Sequence, residues 1–334
     1  MGKVFVQTNE ADGNRVIVFE GGDDGALTQL VSVATGGKGD GVPHLTSQGS
    51  VLLTQDGGRL LVANAGSGDV SVLTVAEEVS LERVVPTGAA PKSVAEHAGL
   101  VYVLNTGTPS LSGFRLTADG LEPVMGSGRE LAPDADPAQV GFTPDGTALV
   151  VTERGTSSLR VFPVGADGLL GEPVEIASSG PTPYGFAFGA RGALVVTEAF
   201  GAEKGKAAAS SYRLSGTSAE PVSRSVGNGR SEICWAVVTP DGRYAFTTNF
   251  ADGAVSSWTI ADDDSLRLEN AVAGTAVEGQ PGLRDEDLSR DGRFLYAIDA
   301  DAGRIFGWSV ESCTLSPIGS WDGLPRTVAG LASG

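Results

Sequence analysis

Residues 142–162 read FTPDGTALVVTERGTSSLRVF, and this stretch decides the fold. An Asp-Gly pair, Asp145-Gly146, sits between two apolar runs, which is a strong hairpin signal. The second run, LVVT, ends on Glu153. A small-residue turn follows, and then the alternating strand SLRVF. The same order returns in VTPDGRYAFTTNFADGAVSSW (238–258) and SRDGRFLYAIDADAGRIFGW (289–308). Further out the marker is an apolar run closed by one polar residue: FVQTN at Asn9, LLVAN at Asn64, VYVLN at Asn105, LVVTE at Glu153 and Glu198, AFTTN at Asn249 and LYAID at Asp299. Seven units, each roughly 40 to 50 residues long, match four-stranded propeller blades.

Within a unit, strands a to d run from the axis outward. Asp-Gly pairs at 56–57, 145–146, 241–242 and 291–292 mark a–b hairpins. The chain opens directly on a b strand, Lys3 to Thr8, and closes on PRTVAGLASG, an a strand with no b strand after it. The two ends therefore complete one blade, with residues near 326–331 as its inner strand. Such closure removes the exposed edges that invite aggregation. The expectation is an all-β, seven-bladed propeller forming one domain over 1–334.

Composition agrees with this. Gly is 48 of 334 residues, as many tight turns require. The net charge of −18 repels phosphate backbones and anionic headgroups, so neither nucleic acid nor membrane is an expected partner. A small-molecule substrate, a monomer and a cytoplasmic setting are expected. Two cysteines, Cys234 and Cys313, make no disulfide framework, and two free thiols are expected. No nucleophile elbow, P-loop, dinucleotide fingerprint or HExxH occurs, and neither cofactor nor metal is expected.

The blade stretches quoted above resemble the seven-bladed lactonase family, which includes bacterial 6-phosphogluconolactonases and fungal carboxymuconate-lactonising enzymes. The resemblance extends over essentially the whole chain. It implies an enzyme acting on a small cyclic ester or a related carboxylated or hydroxylated metabolite at the axial mouth of the propeller. In GPTPYGFAFGARGALVVTEAF (180–200), Gly180, Pro181 and Glu198 match a family motif, while Thr182 and Pro183 stand where Arg and His occur. On that departure 6-phosphogluconolactone is expected to be a poor substrate.

In such a blade the b–c turns and d–a links share one end of the axis. Aligning each unit on its polar residue brings Ser50, Ser93, Gln139, Tyr184, Trp235 and Asp285 to the mouth of the channel there. Glu198, Glu153 and His44 are the candidate proton-transfer groups. Arg154 and Arg284 are candidates for a substrate carboxylate. Tyr184 and Trp235 are candidates for stacking, and Gln139, Asn64, Asn105, Asn249, Asp285 and Asp299 for polar contacts. The asparagines and Asp299 have an equally simple reading as Asx turns. The loop 199–210 after Glu198 reads as a lid or as a surface insertion. A lyase or isomerase could use the same groups, and a non-catalytic propeller binding a small molecule or protein is the rival class.

Overall fold

A computed structural model describes residues 2–43, 45 and 47–334. Among them seven antiparallel sheets form, each with four strands in order from inner to outer. Blade 4 shows the pattern: Pro137–Phe142, Ala148–Glu153, Ser158–Pro163 and Val174–Ala177. In blade 3 the outer strand is split into Gly120–Pro123 and Arg129–Glu130. The b strands are apolar on both faces because each lies between two neighbouring blades. Leu149 and Val151 pack toward blade 3, while Ala148 and Val150 pack toward blade 5. The core is accordingly seven apolar layers, one per blade interface. Each fully buried Val or Leu contributes about 1.5–3 kcal/mol.

The Asp-Gly hairpins share one construction. Thr54, Thr143, Thr239 and Ser289 each donate a hydroxyl hydrogen bond, 2.6–2.7 Å long, to the aspartate two residues on. Gly57, Gly146, Gly242 and Gly292 take φ near +70°, which favours glycine.

The C-terminal strand closes the ring. Gly330–Ser333 pairs with Lys3–Gln7, Leu331 opposite Val6 and Ala332 opposite Phe5. This strand starts later than the 326–331 read from the sequence, because residues 325–328 form a turn, with the Val328 amide on the Pro325 carbonyl at 3.1 Å. Leu331 belongs to the apolar layer between blades 7 and 1, and Ala332 to that between blades 1 and 2. Deleting 330–334 should therefore give insoluble protein or lower the melting temperature by more than about 5 °C. Calorimetry showing a truncated chain that melts with the full one would contradict this closure.

Candidate functional site at the upper end of the axis

The upper end is where the links run into the inner strands. In blades 3 to 7 the residue just ahead of the inner strand has a left-handed backbone: Ala90 (φ 51°), Asp136 (42°), Thr182 (58°) and Glu232 (55°), with Gly282 at 138°. The recurrence makes this a device of the fold that aims these five inner strands at the axis. The second residues of these strands then form a ring: Lys92, Ala138, Tyr184, Cys234 and Arg284.

Tyr184 is one place out of the alignment expected from the sequence, where it stood level with Gln139 and Trp235. The a–b turn of blade 5, GAR (189–191), is one residue shorter than TPDG in its neighbours, so counting back from Glu198 overshoots. Gly185 takes the level of Gln139 and Trp235 instead. A Cβ there would clash with Gln48 Oε1 and the Cys234 carbonyl.

Tyr184 anchors a small aromatic cluster. Its ring lies 5.8 Å from that of Trp235, and Ala138, Ala199, Cys234 and Phe250 pack beside them. The Arg154 guanidinium lies over the Tyr184 ring at 4.9 Å and pairs with Asp136 at 2.6 Å. The Arg284 guanidinium lies over Phe250 at 5.1 Å. Tyr184 is 4 % exposed, and its hydroxyl has no hydrogen-bond partner among the described residues. Burial pushes this hydroxyl well above the usual tyrosine range, so it stays a neutral donor at neutral pH. Burial lowers Arg284, opposed by the nearby Asp301 and Asp299 carboxylates. Burial also raises the Cys234 thiol, leaving it a protonated, unreactive group. Cys234 and Cys313 are both free.

The two glutamates sit elsewhere. Glu198 is wholly buried and saturated. Oε1 accepts from the Gly180 amide (2.9 Å) and Ser210 (2.6 Å), and Oε2 from Ser225 (2.6 Å). It ties the link into blade 5 to that blade's outer strands. Glu153 is likewise 0 % exposed, paired with Arg160 at 2.7 Å and accepting from Thr156 at 2.9 Å. Neither is presented to a substrate.

The asparagines do the same work. Asn64 donates to Asp69 and Ser71 and accepts from Asn14 and Thr35; Asn249 donates to Ser256 and accepts from Asn228; Asn105 donates to Ser112. They bond neighbouring strands and links, which differs from the local turns expected. Asp299 alone makes such a turn, accepting from the Ala302 amide at 2.9 Å. Asn9 lies two residues beyond its strand and donates to Asp40 and Val42.

Further down the axis, Gln139 bonds both the amide and carbonyl of Phe186, at 2.6 and 3.0 Å. Asp285 accepts from the Leu331 amide at 3.4 Å. Trp235 is wholly buried and donates to the Ser47 carbonyl at 3.2 Å. Ser50 and Ser93 are buried as well, so the open mouth expected here is a packed plug. His44 lies outside the described residues. The loop after Glu198 is tied down by amides of Ala199, Phe200 and Ala207 to Thr182, Pro181 and Arg230.

The structure therefore brings together Arg154, Arg284, Tyr184 and Trp235 and separates them from Glu153, Glu198, Asn64 and Asn105. Sequence reasoning missed Glu232. Burial and the nearby Asp252 raise its carboxyl above the usual range. Its signal was positional: it occupies the place of Asp136, directly ahead of an inner strand.

An axial propeller with an arginine–tyrosine cluster at its upper end is the class that fold and geometry define. Over residues 197–323 the sequence matches the family described as Lactonase, 7-bladed beta-propeller. The chain is a seven-bladed propeller, and its residues 197–323 resemble that lactonase family. No curated protein matches it in sequence. Among solved structures, a candidate 6-phosphogluconolactonase from Bacteroides fragilis superposes with a TM-score of 0.75 at 18 % identity, covering 100 % of this chain and 98 % of that one. The periplasmic gluconolactonase of Pseudomonas aeruginosa gives 0.77 at 17 % identity, covering 99 % and 98 %. A functionally unknown protein from Desulfotomaculum acetoxidans gives 0.78 at 12 % identity, covering 99 % and 98 %. At these identities the likeness is one of fold.

Glu198→Gln tests the structural role of that side chain. An amide cannot accept from all three donors, and an orphaned buried donor costs about 1–3 kcal/mol. A melting temperature lower by several degrees is expected, read by calorimetry; an unchanged one would contradict the assignment.

Proposed function

We propose that the chain is a lactonase-type hydrolase that opens a small carboxylated cyclic ester at the upper end of the axis. One observation carries this reading: Arg154 lies over the ring of the buried Tyr184 and Arg284 over Phe250 in the same cluster, and the Tyr184 hydroxyl is unspent. In a chain of net charge −18 these two guanidiniums are the groups at this end that offer an anionic ligand an opposite charge. The guanidinium fork suits a carboxylate bidentately. The neutral Tyr184 hydroxyl donates to the ester carbonyl oxygen as negative charge grows on it, which preorganised donors favour most strongly in a dry site. Glu232, with its raised carboxyl, supplies the base that takes a proton from the attacking water. The carboxylate group of the substrate sets its orientation, and hydrolysis yields a hydroxy diacid.

A panel of five- and six-membered lactones, with and without a carboxylate, tests this. Carboxylated lactones should be preferred. Arg284→Met should lower kcat/KM on them at least about a hundredfold, and Tyr184→Phe should lower kcat about tenfold or more. Equal turnover of neutral and carboxylated lactones, or activity indifferent to both substitutions, would contradict the reading.

A further inference from the structure

The closing strand, Gly330–Ser333, is bonded along both of its edges. On one it pairs with Lys3–Gln7 of the blade it completes. On the other it meets the inner strand of blade 7, Leu283–Leu288, and there the bonds are made by side chains. Asp285 and Asp287 stand two residues apart, so they share one face of that strand. Their construction is the same. Oδ1 accepts the amide of the following residue, Glu286 at 3.1 Å and Leu288 at 2.8 Å. Oδ2 accepts an amide of the closing strand, Leu331 at 3.4 Å and Ser333 at 2.8 Å. Two carboxyls therefore hold the strand that joins the two ends of the chain into a ring.

No cation faces this pair. The elements packed on the blade 7 inner strand are the closing strand, the b strand Phe294–Asp299 and, in blade 6, the strands Ile233–Val238 and Tyr244–Asn249 and the turn Phe250–Asp252. Their titratable groups are Tyr296, Asp299, Cys234, Tyr244 and Asp252, and they carry no Lys, Arg or His. On the strand itself Glu286 turns to the opposite face, beside Thr248 of blade 6, and the Arg284 guanidinium lies over Phe250. A cavity of about 500 Å³ at the lower end of the axis reaches both aspartates, and Glu96, His97 and Arg290 also line it. Of these, His97 meets the Gln55 side chain at 3.3 Å and Arg290 is held on the Gln55 carbonyl at 3.2 Å. Among the described residues no ion pair reaches Asp285 or Asp287. Ionising them puts two like charges roughly 7 Å apart on one buried face, which is costly without a counter-charge.

We propose that Asp285 and Asp287 form an acid-locked clasp on the ring: protonated they keep the closing strand in place, and their ionisation as pH rises releases that strand ahead of the rest of the fold. Burial pushes Asp287 up to about 7 and Asp285 well above the usual aspartate range, outweighing the amide donors that favour the ionised forms. Once the closing strand lifts away, both carboxyls meet water and return toward an ordinary value of roughly 4. Above that pH the open form sheds protons that the closed form keeps. Each further unit, up to about 7, therefore shifts the balance toward opening. The cavity gives these protons a path to solvent.

Amide hydrogen exchange of the intact protein between pH 5 and pH 8, corrected for the intrinsic rate at each pH, tests the clasp. The Leu331 and Ser333 amides should lose protection by about tenfold or more over this range, while Val150 and Val151 in blade 4 keep theirs. Asp287→Asn leaves an acceptor in place but nothing to ionise, and should flatten the profile at Ser333. His97→Gln removes the histidine of the cavity, which titrates in the same range, and should leave the profile as it is. Protection at Leu331 and Ser333 that is constant or rises with pH would overturn the proposal, and so would a loss shared equally by blade 4. A profile that survives Asp287→Asn, or that moves with His97→Gln instead, would overturn it too. The wild-type profile decides the matter even if a variant fails to fold.

Discussion

Every inner strand of a propeller has one edge that faces the axis with no further strand to pair with. Its amides and carbonyls must find partners or water, because an unpaired buried backbone group costs about as much as a lost hydrogen bond. Here neighbouring inner strands and links lend side chains for the purpose. Ser93 accepts from the Val140 amide and donates to the Gln48 carbonyl. Gln139 pairs with both backbone groups of Phe186, Gln48 with both of Ala236, and Asp287 receives the Ser333 amide. Each amide side chain acts as one more rung of a β-ladder. Much of the polarity of the inner strands is spent on one another.

That constraint divides the axis. Because Gln48 spans it, the upper end is a tight cluster around Tyr184 and the lower end an open cavity. It also assigns the b-strand termini a common structural task. Asn64, Asn105, Glu198, Asn249 and Asp299 pack on the link running into their own blade, and the fit is close: a Cβ on Gly37, Gly180 or Gly282 would collide with Asn64, Glu198 or Asp299. Glu198 is thus explained by the link it fastens, and the chemistry moves to residues one level nearer the axis.

The blade repeat was legible because its signals are local. Asp-Gly turns and doubly buried LVVT runs follow from hairpin geometry and from burial between two neighbours. The closing strand was legible as a remainder, a b strand without its a strand. Arg154, Arg284 and Tyr184 were legible as residue types near the links. What the sequence concealed was direction. Glu153 and Glu198 carry the residue type of a base, yet their side chains turn outward to Arg160 and to Ser210. The shorter turn of blade 5 moved Tyr184 by one level, a shift visible only by counting both ways along the hairpin. The Gln48 bridge joins positions 188 residues apart, and no local pattern announces it.

Amide hydrogen exchange measures the edge-capping most directly. The Phe186 and Ala236 amides face the axis without a strand partner on that side, so their protection depends on the two glutamines. In the wild type both should exchange slowly. Gln139→Ala should release Phe186 and Gln48→Ala should release Ala236, each leaving the b-strand amides of its blade protected. Fast exchange at both sites in the wild type, or slow exchange that survives both substitutions, would contradict the account.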